Sequence, residues 1–216
     1  MSYPDLTTLL NNVNIVLIGM MGAGKTTIGK LLSDQLGYRF LDTDAVIEKA
    51  LGQSIYKLFN EIGEGQFRRI ETQVIAQLSA HTRLTIATGG GIVVTPENWS
   101  YLHHGVVVWL DVPLPQLWDR LQRSERTKPS RPLLKGKDWQ QQVGKLLEER
   151  TPLYAQADVR VGVTPQDTPD KVLNKVIIGV STLIQSTLDE RKGGYSRKEK
   201  ENLEPDPICP QDACPE

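Results

Sequence analysis

An α/β fold, with helices layered on both faces of a five-stranded parallel sheet, is predicted by three features of the chain. Short apolar runs alternate with amphipathic stretches about five times, the rhythm of strand and crossover helix. The first run leads into "GMMGAGKTTIGK", residues 19–30, a glycine-rich turn that opens a helix. The 216 residues allow about 70% of the unfolded surface to be buried, enough for one such domain.

The strands are read from the apolar runs Val13–Ile18, Phe40–Leu41, Leu84–Ala87, Val106–Leu110 and Val159–Val163. Between them lie helical stripes. Ile28, Leu31, Leu32 and Leu36 recur at helical spacing and are closed by Gly37. Phe67, Ile70, Val74 and Leu78 form a second stripe, and Leu114, Leu117, Trp118 and Leu121 a third. A last helix is expected to start with Thr168 as cap and Pro169 at its first position, burying Val172, Val176, Ile177 and Val180.

Two segments break the rhythm. "SERTKPSRPLLKGKD", residues 124–138, is polar, basic and carries two prolines, which predicts a mobile lid. From residue 187 the chain has charge blocks and little to bury. The domain is therefore expected to span 1–186 and a disordered tail 187–216.

Net charge is −1, from 25 basic and 26 acidic side chains, so no overall field favours nucleic acid or an anionic membrane. No apolar run approaches the ~18 residues of a membrane span, and residues 1–14 lack a charged n-region ahead of an apolar core. A cytoplasmic protein is expected. Cys209 and Cys214 sit too close to the C-terminus to staple a core. His81, His103 and His104 show no metal-ligand spacing.

Gly19-x-x-x-x-Gly24-Lys25-Thr26 follows a strand and opens a helix, the context that a Walker A loop requires. Its glycines let backbone N–H groups wrap phosphates, and the helix N-terminus adds positive potential. Lys25 would reach the β- and γ-phosphates, and the Thr26 hydroxyl would ligate Mg²⁺. Such a loop serves many reactions, so the acceptor is read elsewhere.

Asp42 and Asp44 in "FLDTDAV" are placed at the end of the second strand, spaced to project the same way. One could hold the Mg²⁺ hydration shell while the other accepts from an attacking hydroxyl. An Asx turn capping the next helix explains the pair as well. Arg68, Arg69 and Glu71 in "GEGQFRRIE" fit either a solvated face with an i, i+3 ion pair or an arginine aimed into the cleft. Gly89, Gly90 and Gly91 stand after the third strand, at the sheet end where ligands bind, and allow close approach to backbone N–H groups. Arg131 lies in the basic lid and Arg150 precedes "TPLY". Either could stabilise charge on a transferring phosphoryl group, or be an ordinary surface charge.

Taken together, "GMMGAGKTTIGK", "DTD", "FRRIE", "GGG", "RPLL" and "ERTPLY" resemble the shikimate kinase family in order and spacing. That resemblance implies a P-loop NTPase fold like that of nucleoside monophosphate kinases, and transfer of the ATP γ-phosphate to the 3-hydroxyl of shikimate. It further implies that Gly22, Ala23, Gly24, Lys25, Thr26 and Thr27 cradle ATP, with Mg²⁺ on Thr26 and, through water, Asp42. Asp44 would be the base or orienter of the hydroxyl. Arg68 and Arg150 would bind the substrate carboxylate beside Gly89, Gly90 and Gly91, and Phe59 and Phe67 would wall the ring. Arg131 would be the lid arginine, and the loop before Pro169 would flank adenine. A monomer acting on ATP and shikimate, with neither nucleic acid nor membrane as partner, is the corresponding expectation. A gluconate or nucleotide acceptor on the same scaffold, and a binding protein without turnover, are the rival readings. Arg123 and Arg126 add lid charge for which the resemblance names no partner.

Overall fold

The computed structural model describes the backbone of residues 6–127 and 138–201, and side chains as far as 123 and then from 138 to 190. A short helix α1 (Leu6–Leu10) leads to strand β1 (Asn14–Ile18), then α2 (Lys25–Leu36) and β2 (Arg39–Asp42). Helices α3 (Thr43–Leu51) and α4 (Ile55–Ser79) form a hairpin before β3 (Leu84–Ala87). A single 3₁₀ turn (Ile92–Val94) and α5 (Asn98–Leu102) precede β4 (Gly105–Asp111). Then come α6 (Leu114–Thr127), α7 (Trp139–Tyr154), β5 (Val159–Gly162) and α8 (Pro169–Glu201).

The five strands pair in the order β2-β3-β1-β4-β5, and every pairing is parallel. Burial along β1 shows why the sheet needs helices on both sides. Ile15 and Leu17 pack with Ile28 and Leu32 of α2 and with Val172, Val176 and Val180 of α8. Val16 and Ile18 face the other layer, with Ile75 of α4, Trp109 and Tyr154. All four of these side chains are buried, so truncating Ile15, Leu17 or Ile18 to alanine would cost about 2–5 kcal/mol through lost burial and the cavity left behind. At the start of β1, buried Asn14 extends the ladder by side chain. It donates to His81 O at 2.6 Å and accepts from Leu84 N at 2.8 Å, which satisfies both ends of a polar group that burial would otherwise penalise.

The expected strands are all present, with β2 and β4 each a residue longer at either end. Gly37 closes α2 in the left-handed conformation. Thr168 Oγ1 accepts from Lys171 N at 3.4 Å where α8 begins at Pro169. The helix carrying Phe67 starts at Ile55. Residues 124–127, assigned to the lid, continue α6, and 128–137 lie outside the described residues. Helix α8 runs on past residue 186 to Glu201. Among the described residues no helix is long and apolar enough to cross a membrane.

Candidate active site

The glycine-rich turn leaves β1 and enters α2 through Gly24, whose φ of 100° lies where side-chain-bearing residues are strained. Gly22 has φ +81° and would bring a Cβ within 3.2 Å of Leu121, so both conformation and space demand glycine. Lys25 is buried, and its Nζ donates to Gly19 O at 2.7 Å and Met20 O at 3.0 Å. The ammonium is thereby pinned to the rim of the loop.

Thr26 Oγ1, at the start of α2, donates to Asp42 Oδ2 at 2.8 Å. The other oxygen of Asp42 accepts from Asp44 N at 3.1 Å and caps α3. The Asx-cap reading of Asp42 therefore holds, with its second oxygen turned toward Thr26. Asp44 itself is not on the strand, as expected, but in the first turn of α3. Thr26 and Asp42 offer hard oxygen donors side by side, the chemistry Mg²⁺ requires.

Burial pushes the Asp44 carboxyl up to about 6, helped by the negative charges of Asp42 and Glu71 and opposed by Lys25. Facing it is the Gly89–Gly91 loop. Gly89 N donates to buried Thr43 Oγ1 at 2.9 Å, while Gly90 O accepts from Tyr154 OH at 2.6 Å and from Arg150 Nη1 at 3.2 Å. A Cβ on Gly91 would overlap the Arg68 guanidinium. The loop is therefore held by α3 on one side and α7 on the other.

Arg68 donates through Nη1 to Glu71 and through Nη2 to Glu64 Oε1 at 2.9 Å. Its Cζ lies 5.6 Å from the Phe59 ring and 5.7 Å from Phe67, within cation–π range. Burial would depress the guanidinium, but Glu71 and Glu64 together more than offset this and hold it charged. Glu71 is only 1% exposed. The ion pair anticipated at i, i+3 is real, with Glu71 buried and Arg68 half-buried at the cleft wall, while Arg69 is exposed to solvent.

One cleft is lined by all of the nominated residues that are described: Gly22 to Thr27, Asp42, Asp44, Phe59, Phe67, Arg68, Gly89 to Gly91 and Arg150. Arg131 lies outside the described residues. Asp167 and Pro169 border the same cleft. Three residues escaped the sequence reading. Arg120 of α6 donates to Gly22 O at 3.3 Å and Ala23 O at 3.1 Å. Glu71 was recognised only as the partner of Arg68. Tyr154, within the quoted "ERTPLY", was not given the task of fixing Gly90. The "Leu-Trp-Asp-Arg" turn of α6 carries no local signal that would have separated Arg120 from Arg123.

The family model for shikimate kinase matches residues 21–180. The shikimate kinase of Nostoc punctiforme is 54% identical over 172 residues, covering 80% of this chain and 93% of that protein. That of Microcystis aeruginosa is 47% identical over 182 residues, covering 84% and 94%. Among solved structures, shikimate kinase from Acinetobacter baumannii in complex with shikimate superposes with a TM-score of 0.73 at 37% identity, covering 84% of this chain and 98% of that one. A gluconokinase from Sinorhizobium meliloti, at 16% identity and a TM-score of 0.56, shares the P-loop kinase fold alone. Matched over most of its length by such relatives, the chain belongs to the shikimate kinase family and is an ATP-dependent kinase.

Proposed function

We propose that the chain transfers the γ-phosphoryl group of ATP to the 3-hydroxyl of shikimate, giving ADP and 3-phosphoshikimate on the route to chorismate and the aromatic amino acids. The observation that carries this is a single cleft lined by Lys25, Thr26, Asp44, Arg68 and Arg150, in which Asp44 feels the charges of both Lys25 and Glu71 and Glu71 in turn feels Arg68 and Arg150. A cyclic triol with one carboxylate needs cations to hold the carboxylate, an acceptor for one hydroxyl proton, and a phosphoryl donor beyond it.

In this reading Arg68 and Arg150 grip the carboxylate, Phe59 and Phe67 pack the ring, and the Gly89–Gly91 backbone lies alongside. The hydroxyl oxygen attacks the γ-phosphorus as the bond to the β,γ-bridging oxygen breaks, and the hydroxyl proton passes to an Asp44 oxygen. A pKa of about 6 leaves Asp44 largely ionised at neutral pH yet more basic than an ordinary aspartate, which suits a general base. The Gly22–Thr27 backbone and Lys25 hold the phosphates. Thr26 and Asp42 would hold Mg²⁺, directly or through water; when bound, that ion supplies neutralisation of phosphate charge. Phosphoryl transfer through a loose transition state asks chiefly for this positioning and charge balance. Arg131 is assigned the same task from the lid.

The test is ADP release by purified protein with MgATP and, separately, shikimate, quinate, gluconate or AMP. Release that depends on shikimate supports the proposal. Release with only another acceptor would replace the substrate, and nucleotide binding without release would remove the activity.

A further inference from the structure

Helix α4 is not continuous. Gly63 sits inside it with φ 75° and ψ 168°, a region essentially confined to glycine. A Cβ placed on Gly63 would meet nothing within 4 Å. Glycine is therefore required there by the backbone turn and not by lack of room.

The break decides what the two halves can reach. In an unbroken helix, residues eight apart are separated by about 12 Å of rise, and residues nine apart by about 13.5 Å and on opposite faces. Yet the rings of Phe59 and Phe67 lie 4.4 Å apart, and Arg68 Cζ is 5.6 Å from the Phe59 ring. Neither contact can form without the turn at Gly63. The first half of α4 is anchored to α3: Ile55 N donates to Glu48 Oε1 at 2.9 Å, and Leu58 packs with Ile47 and Phe67. The second half is anchored to the sheet by Ile75. Immediately after the turn, Glu64 takes one arm of the Arg68 fork.

We infer that Gly63 is a positioning residue for the acceptor: its turn folds Phe59 back over Arg68 and so builds the joint apolar and cationic surface that receives a ring carboxylate. This rests on the functional reading above and adds to it the residue that sets acceptor affinity from outside the contact surface. The nucleotide end of the cleft, carried by α2 and α6, has no part in the turn.

The experiment compares wild type, G63A, F59A and the double variant in steady-state kinetics, with KM measured separately for shikimate and for ATP. Absence of shikimate-dependent turnover in wild type would sink the functional reading itself. Given that turnover, G63A is expected to raise KM for shikimate by about tenfold, the scale of a misplaced binding surface, with KM for ATP within about twofold of wild type. Because Gly63 acts through Phe59, G63A should add little in the F59A background. Additive losses, an equal rise in both KM values, unchanged kinetics, or a G63A chain that fails to fold would each overturn the inference.

Discussion

Asp44 and Glu71 bring carboxylate oxygens to the same side of Gly89: a methyl group there would lie 2.7 Å from Asp44 Oδ1 and 2.8 Å from Glu71 Oε1. Burial, then the negative charges of Asp42 and Glu71, push the Asp44 carboxyl up to about 6. Burial raises Glu71 as well, against the opposing charge of Arg68. The profile of kcat/KM for shikimate should accordingly fall on the acid side with a midpoint near that value, since this ratio reports ionisations of the free enzyme. Glu71→Gln removes a negative neighbour and should move the midpoint lower, whatever it does to the absolute rate. A midpoint that stays in place would detach Glu71 from the ionisation of Asp44.

Asp44→Asn should lower turnover by at least ~10²-fold, the low end for a general base, with ATP affinity retained. The same change should stabilise the fold at neutral pH. A carboxyl raised from 3.8 to about 6 on folding gives its stabilising contribution fully below the unfolded value and loses it as pH rises through the folded one. Above pH 6 the ionised side chain is therefore a burden, on the order of 3 kcal/mol. The variant should melt several degrees higher than wild type at neutral pH, with the gap closing toward pH 4. Unchanged turnover would remove Asp44 from the chemistry, and an unchanged melting temperature would remove the electrostatic strain assigned to it.

Arg120 braces the carbonyls of Gly22 and Ala23 from α6. Losing it frees the loop that holds the phosphates and removes a cation from that end of the cleft. Arg120→Ala is expected to raise KM for ATP roughly tenfold, about the value of one hydrogen bond to a charged group, with little effect on KM for shikimate. An effect on shikimate alone would place the guanidinium in the acceptor site instead.

What was legible in the sequence follows physical range. β1 and the P-loop could be read because an apolar run, glycines and a helical stripe all lie within a few residues. Helix α3 could not, because its buried residues are only Thr43 and Ile47, too few to make a stripe. Charged helical residues usually face solvent, so the burial of Glu71, tolerable because it is paired with Arg68, leaves no mark in the sequence. Tyr154 and Arg120 act across sequence separations of 64 and 98 residues, which no local pattern encodes. Beyond residue 186, low hydrophobicity describes a solvated helix and a disordered chain equally well, and composition alone cannot separate them.

The end of α8 gives the last prediction. Leu183 and Ile184 pack against the core, whereas residues 185–190 are exposed and Leu188 is 41% exposed. Contact between the described part of α8 and the domain thus ends one turn or less beyond Ile184. Removing residues 191–216 should shift the melting temperature by no more than about 2 °C, the scale of surface changes in a chain this long, and should leave kcat and both KM values unchanged. Far-UV circular dichroism should nevertheless lose helical signal from 191–201, which distinguishes a helix without a partner from one that never formed. A fall of many degrees would mean that the removed segment docks on the domain and contributes to its stability.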